Sequence, residues 1–573
     1  MVNRLNTWCV KQFQVLKRLL MKGMVIWLFS IVIFTSCGIK KSLNDLPDIS
    51  NYTSTIPEKV NVNDSTSYTG NSFLTKNKQG LWELYVEGDP LERGLLIGSL
   101  TKELMYKQEA VFFDKISELV PSEGKQKFLR KFLSWYNRKM YKHITNEYKS
   151  EIYGVSQYAS TDFNSIAPPY LRSLYLHGAH DIGHALQDLA LVGCTSFAAW
   201  GNKTEDGKLL IGRNFDFYAG DAFAENKIIA FVNPTTGYKF VSVTWGGMIG
   251  VVSGMNDQGL TVTINAGKSK IPLVAKTPIS ILTREILQYA SNIEEAIAIA
   301  KKREVFVSES ILVGSAKDKK AMLIEVSPKN FGVYEVENTN QLICSNHFQS
   351  DAYEDDRRNK KTIEESHTQY RFERMQELLT EADKISPTEA FAILRDKNGK
   401  GNKTIGYGNE KALNQLLAHH GIVFQPEDLK VWISSNPYQL GEFVAYDLND
   451  VFSNRMGNPS KISVSKEKDN IDKDPFLLSE DYHNYEKYRV LERKVEQAIE
   501  DQIKLDAEDL ERLVILNPEY WKAHKLAGDY YYQNRNYPKA LKAFSVASTK
   551  EITTLPDAQY ISKYIKKSQR KLK

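Results

Sequence analysis

The chain has 573 residues, 42% hydrophobic and 25% charged, a balance that excludes a disordered chain and requires two or more folded units. Its formal net charge is only +5 and its basic residues are interleaved with acidic ones, which excludes the concentrated positive surface of a nucleic-acid-binding protein. Four cysteines, at positions 9, 37, 194 and 344, are too few to staple a fold of this size, so it must rest on an apolar core.

In chain order, the first element is an apolar run at 24–36 that follows Lys17, Arg18 and Lys22. It has the length of a signal-peptide core and is too short to cross a bilayer as a helix. The run ends in Phe34-Thr35-Ser36-Cys37-Gly38, which resembles the lipobox of bacterial lipoproteins. The expectation is a signal peptide over 1–37, lipidation at Cys37, and a chain anchored to the membrane of the bacterial cell envelope on its periplasmic or surface face. An uncleaved anchor is the alternative. The stretch before Met21 is long for a signal n-region, which makes Met21 and Met24 alternative starts. Residues 38–80, rich in Ser, Thr, Asn, Asp and Lys, read as a flexible tether.

A body is expected over 81–455. From 88 to 158 the apolar spacing is helical, as in Leu91, Leu95, Leu100 and Leu104. The segment His180-Asp181-Ile182-Gly183-His184 could set two imidazoles on one helical face, but no third ligand cluster accompanies it. It reads as packing or as support for chain cleavage, and neither a metal nor a cofactor is expected. From Cys194 the pattern shifts to period two, predicting strands at 197–200, 208–211, 227–232, 240–245 and 260–264. Helices follow at 278–302 and 370–382, with further strands at 310–313, 322–326, 341–344, 430–434 and 442–446. Residues 456–480 are polar and read as a linker. Over 481–573 the chain is helical, and Gly528, Tyr531, Tyr537, Ala540, Phe544 and Ala547 follow the spacing of a tetratricopeptide-like unit, a surface for a protein partner. A plain helical hairpin packed on the body explains the same spacing.

The chemistry concentrates at Gly193-Cys194-Thr195-Ser196-Phe197 and Gly212-Arg213-Asn214-Phe215-Asp216-Phe217, joined through Asp206-Gly207. If Asp206-Gly207 makes a tight hairpin, the two strands run antiparallel with Asp216 opposite Phe197, ~10 Å along the strand from Cys194. Arg213 then lies farther away, and a bulge or sheet twist is needed to aim it at the thiol. A nearby guanidinium favours the reactive thiolate. For the base, a histidine elsewhere in the fold stays open. Cleavage between Gly193 and Cys194 is the economical alternative, since it frees an α-amine of reference pKa about 7.7–8.0 on the nucleophile's own residue. Cys344 and His419-His420 read as core residues, and Asn256 as a turn residue.

Gly193-Cys194-Thr195, the 213–217 block, Gly254-Met255-Asn256-Asp257-Gln258-Gly259-Leu260 and Ser345-Asn346-His347-Phe348, in this order, resemble the cysteine N-terminal nucleophile hydrolases. The likeness is to the autoproteolytic family that includes acyl-coenzyme A:6-aminopenicillanic acid acyltransferase, and it runs from about Trp82 to Phe452. The resemblance implies an α+β class, a four-layer αββα fold, self-cleavage before Cys194, and attack of its thiolate on the carbonyl of a small-molecule acyl amide or thioester. By motif, Cys194 is the nucleophile, Arg213 and Asp216 orient the amine and substrate, and Asn265 and Asn346 donate to the oxyanion, where each donor is worth about 10²–10³ in rate. Relatives carry an arginine after the second asparagine. Arg357 and Arg371 both fit, and Arg371 is preferred because it opens a helical segment. The expected activity is that of an amidohydrolase or acyltransferase, and the alternative is a lipoprotein scaffold with an inactive hydrolase-like body.

Overall fold

The computed structural model describes residues 38–178, 181, 193–218, 220–270, 272, 274–453 and 463–573. The expected signal peptide with Cys37 lies outside them, as do His180 and His184. In chain order the strands are β1 (Val60–Asn63), β2 (Thr66–Thr69), β3 (Ser72–Lys76), β4 (Trp82–Gly88), β5 (Thr195–Ala199), β6 (Leu210–Phe215), β7 (Ile228–Pro234), β8 (Phe240–Thr244) and β9 (Ser253–Asn256). They continue as β10 (Leu260–Ala266), β11 (Glu309–Ser315), β12 (Lys320–Val326), β13 (Phe331–Tyr334), β14 (Gln341–Cys344), β15 (His420–Gln425), β16 (Lys430–Ser434) and β17 (Phe443–Asp447). Among the described residues they form two sheets. The larger has the order β1-β2-β3-β4-β7-β8-β9-β10-β11-β12-β13, with β4 parallel to β7, and the smaller is β14-β5-β6-β15-β16-β17.

Strand alternation explains how the sheets stack. Ala198, Ile211, Ile422 and Ile433 of the smaller sheet meet Tyr85, Phe231, Val243 and Leu312 of the larger in a core between the two. The opposite side chains of the smaller sheet, among them Phe197, Leu210, Val423 and Trp432, pack on Met375 and Leu379 of the helix Thr368–Glu381 and on Phe391 of the helix Pro387–Leu394. The outer face of the larger sheet, with Leu84, Val232, Val262 and Ile264, is covered by Leu96 and Leu100 of the helix Pro90–Leu100, Ile152 of the helix Asn146–Ser156 and Ile286 of the helix Ile279–Tyr289. Strands covered on both faces carry short apolar runs in place of a clean polar alternation, and this made them visible in sequence.

Part of the stretch read as a tether is folded. Residues 60–76 supply three strands at the edge of the larger sheet. Their polarity belongs to a sheet edge: β1 is exposed throughout, β2 alternates half-buried and buried, and Thr66 and Thr75 hydrogen-bond across β2 and β3 at 2.9 Å. The described part of the expected linker also packs on the body. Ile471 bridges to Phe443, the Val464 N–H donates to Glu83 at 2.9 Å, and Trp432 Nε1 donates to the Asp469 carbonyl at 2.9 Å.

The C-terminal region is helical, with helices at Glu480–Glu500, Ala507–Leu516, Trp521–Gln533, Tyr537–Ala547 and Leu555–Leu572. None of the described helices is long and apolar enough to cross a membrane. Leu416 and Leu440 of the body enter the same apolar core as Tyr488, Leu513, Ala523 and Phe544. Polar contacts fix the join. The Tyr407 N–H donates to Asn517 Oδ1 at 3.1 Å, and Asn517 Nδ2 returns a bond to the Tyr407 carbonyl at 2.8 Å. Lys411 pairs with Glu551 at 2.6 Å. Gly406, at φ +84°, lies so close to Tyr520 that a Cβ would overlap its backbone. The helices therefore clamp the segment 405–416 onto the end of the smaller sheet.

Asn517 is buried, and removing its side chain leaves both backbone groups of Tyr407 without their partner. Asn517→Ala is expected to lower the unfolding free energy by about 1–3 kcal/mol in urea denaturation. An unchanged midpoint would show that the clamp does not stabilise the body.

Candidate active site

The site begins at the mouth of the β5–β6 pair, where Thr195 opposes Asn214, Ser196 opposes Arg213 and Phe197 opposes Gly212. The expected register, with Asp216 opposite Phe197, is corrected by two residues on each strand. Pairing stops at Ala199 and Leu210, and the connection 200–209 holds a 3-10 turn at Gly201–Lys203, so Asp206-Gly207 bends the chain off-centre. The slip draws the chemistry inward. Asp216 now lies across from Gly193, whose N–H donates to the Asp216 carbonyl at 3.2 Å, and Arg213 shares the inter-sheet face with Ser196 and Cys194. No bulge is needed to aim it.

Arg213 Nη2 lies 3.8 Å from Cys194 Sγ. The same guanidinium donates to the Val252 carbonyl at 3.1 Å, to Ser253 Oγ and to the Ile264 carbonyl, which fixes it to β9, β10 and the turn before them. The thiol is 1% exposed, and burial pushes it up to about 11, with Arg213 opposing the shift and the Asp216 and Glu309 carboxyls adding to it. The thiol is thus protonated at neutral pH. Asp216 is fully buried, and among the described residues neither carboxyl oxygen receives a hydrogen bond. Burial raises it to about 7, against the pull of Arg371 and then Arg213.

Arg371, from the helix Thr368–Glu381, reaches the bond between Gly193 and Cys194. Its Nη1 donates to the Gly193 carbonyl at 2.6 Å, to the Cys194 carbonyl at 2.9 Å and to Thr195 Oγ1 at 2.6 Å. Its Nη2 donates to Asn346 Oδ1 at 2.6 Å and its Nε to His367 Nδ1 at 3.0 Å. Of the two arginines the sequence offered, Arg357 is exposed at the start of its helix and Arg371 is buried at Cys194.

The two asparagines differ in position. Asn346 touches Arg371 through its oxygen, and its Nδ2 donates to the Ala266 carbonyl at 2.9 Å. Asn265 is a cross-link between the sheets: its Oδ1 accepts from Ser196 Oγ at 2.8 Å and its Nδ2 donates to the Cys344 carbonyl at 3.0 Å. Both amides are engaged by protein groups, and neither donates to the Gly193 carbonyl. That carbonyl instead receives Gln415 Nε2 at 2.8 Å, a residue that sequence reasoning missed because nothing in Asn414-Gln415-Leu416 marks it. Among the described residues no imidazole hydrogen-bonds the thiol. His420 Nε2 lies 2.9 Å from Ser253 Oγ, which Arg213 also binds, and His419 and His420 face each other at 2.9 Å between their Nδ1 atoms. Burial holds both rings well below the usual histidine range, so they are neutral.

Residues 202–437 match the family model of acyl-coenzyme A:6-aminopenicillanic acid acyl-transferase, a span that contains Arg213, Asp216, Asn265, Asn346, Arg371 and Gln415 and begins after Cys194. An uncharacterized protein of Archaeoglobus fulgidus is 27% identical over 282 residues, 46% of this chain and 46% of that one. N-acylethanolamine-hydrolyzing acid amidase of Caenorhabditis elegans is 23% identical over 206 residues, 34% of this chain and 55% of that one. The chain thus spans about half the length of the curated relatives it matches. Among solved structures, the Caenorhabditis elegans ortholog of that amidase is 17% identical at a TM-score of 0.30, covering 41% of this chain and 93% of the other. A variant of conjugated bile acid hydrolase from Clostridium perfringens is 16% identical at 0.31, with 47% and 95% covered.

The raised Asp216 carboxyl makes the stability of the fold pH-sensitive. Between about pH 4 and 7 the folded chain holds a proton that the unfolded chain has released, so unfolding free energy falls as pH rises through this window, by up to about 1.4 kcal/mol per unit. Against a Cys194→Ala background, Asp216→Asn should remove that contribution. Parallel denaturation curves for the two proteins from pH 4 to 8 would contradict it.

Proposed function

From the match of residues 202–437 to the family model of acyl-coenzyme A:6-aminopenicillanic acid acyl-transferase, we propose that this protein is a cysteine amidohydrolase or acyltransferase of the N-terminal nucleophile type. It matures by cutting its own chain between Gly193 and Cys194, and then carries the substrate's acyl group on Cys194 as a thioester. The observation that supports this best is the thiol itself: Cys194 Sγ is buried 3.8 Å from the Arg213 guanidinium, while the carbonyl just before it is held by Arg371. Among the described residues no imidazole hydrogen-bonds the thiol in the uncut chain. Cleavage would supply a base, because the freed α-amine of Cys194 titrates near neutrality and sits on the residue whose proton it must take. The carboxyl of Asp216, without a hydrogen-bond donor before cleavage, is the natural partner of that amine. Arg213 favours the thiolate, and Arg371 and Asn346 bind the carbonyl side of the substrate.

The substrate class is a small-molecule acyl amide or thioester, in keeping with a relative named for hydrolysing N-acylethanolamines. The basic, apolar and Cys37 pattern supports export and a lipid anchor, with the four-layer body outside the membrane and the C-terminal, tetratricopeptide-like helices beside it. An inactive scaffold is the weaker reading, since Arg213 lies 3.8 Å from the thiol and Arg371 holds the Gly193 and Cys194 carbonyls beside it.

Purified wild type should run as two fragments meeting at Gly193-Cys194, and Cys194→Ala as one chain. A panel of N-acyl amides should be hydrolysed by the wild type, with turnover falling to the uncatalysed level in Cys194→Ala. A chain that stays whole and is fully active would overturn the maturation step. Labelling with a fatty-acid probe should depend on Cys37, and equal labelling of Cys37→Ala would remove the anchor.

A further inference from the structure

We propose that Gln415 is a catalytic residue of chain maturation: with Arg371 it binds the oxygen on which negative charge develops when Cys194 adds to the Gly193 carbonyl. The inference rests on reading Gly193-Cys194 as a self-cleaving bond. It differs from the assignment the family motifs suggested, in which asparagines supply the donors.

Three observations carry it. First, the Gly193 oxygen receives two side-chain donors at once, Arg371 Nη1 at 2.6 Å and Gln415 Nε2 at 2.8 Å, and both side chains are buried. Donors placed around a developing oxyanion in a buried site act in a low local dielectric and need no rearrangement at the moment of reaction. Second, residue 193 is a glycine whose added Cβ would overlap the Gln415 amide, so the absence of a side chain there is what lets this donor reach the carbonyl. Third, Gln415 is held from both sides. Asn214 Nδ2, on the strand that carries Arg213, donates to the Leu413 carbonyl at 3.0 Å, and Leu416 sits in the core of the C-terminal helices. Asn265 is engaged between the sheets and does not compete for the role.

The step balances within the chain and one water. Cys194 Sγ bonds to the Gly193 carbonyl carbon, giving a tetrahedral oxyanion held by Gln415 and Arg371. The thiol proton passes to the departing Cys194 nitrogen, and the C–N bond breaks. A thioester then joins Gly193 to the Cys194 side chain, beside a free α-amine. Water adds to the thioester carbonyl, the C–S bond breaks, and the products are the Gly193 carboxylate and the Cys194 thiol.

The test follows cleavage of the full-length chain after cell-free synthesis, by gel and intact mass against time. Gln415→Leu should slow the cut by roughly 10²–10³-fold, the loss of one oxyanion donor. Gln415→Glu keeps the shape of the side chain but loses the N–H donor when ionised, so its cleavage should be slow at pH 8 and recover as the pH is lowered. Thermal unfolding of each variant in a Cys194→Ala background reports folding, and if the leucine variant is unfolded the glutamate variant decides. A folded variant that cuts at the wild-type rate at pH 8 overturns the role of Gln415. A wild-type chain that is never cut overturns the maturation reading itself, and with it this assignment.

Discussion

The buried guanidinium of Arg371 is the interaction on which the site depends. It donates to two successive backbone carbonyls and the side chain that follow one another at 193–195, to Asn346 after β14, and to His367 at the start of its own helix. Burial lowers it to about 10, and the Asp216 and Cys194 charges oppose that shift. A buried cation is tolerated only where its donors are satisfied, and here three separated segments must converge to satisfy them. Arg371 thus ties the helix layer and the segment after β14 to the Gly193-Cys194 bond, in addition to the apolar core that joins the helices to the smaller sheet.

Arg213 does the same for the other side of the thiol. Arising from β6, it crosses to the larger sheet and binds Val252, Ser253 and Ile264, so Cys194 lies between two guanidinium groups that belong to different layers. Around them the potential favours anions, while burial disfavours any charge. The thiol at about 11 and the Asp216 carboxyl at about 7 record that contest, which burial wins in the uncut chain. A new ammonium group next to Asp216 would change the outcome.

The C-terminal helices belong to this arrangement although they lie outside the span that matches the family. They hold the segment 405–416 through Asn517, Glu551 and the core around Leu416, and Gln415 sits at the end of that segment. Most of their apolar side chains face inward, into a core they share with the body, which accounts for their aromatic content in terms of packing.

The sequence alone determined many of the elements and the neighbours of Cys194 along the chain. Period-two and helical spacings are local, so the strands at 228–234, 260–266 and 341–344 and the helices at 279–302 and 368–381 were legible from neighbouring residues, as was the pairing of the Cys194 strand with the one bearing Arg213 and Asp216. The short strands at 60–76 were not, because their Ser, Thr and Asn content is that of a loop even where the side chains are buried. Register escaped as well: it is set by how a ten-residue connection folds, and Asp206-Gly207 did not mark its centre. Only the tertiary structure brought Arg371 instead of Arg357 to the Gly193 and Cys194 carbonyls, turned Asn265 into a link between sheets, and set Gln415 on the Gly193 carbonyl. Those contacts join residues roughly 70 to 220 positions apart, and no periodicity spans such distances. They follow from the closing of layers around buried polar groups that must each find a partner.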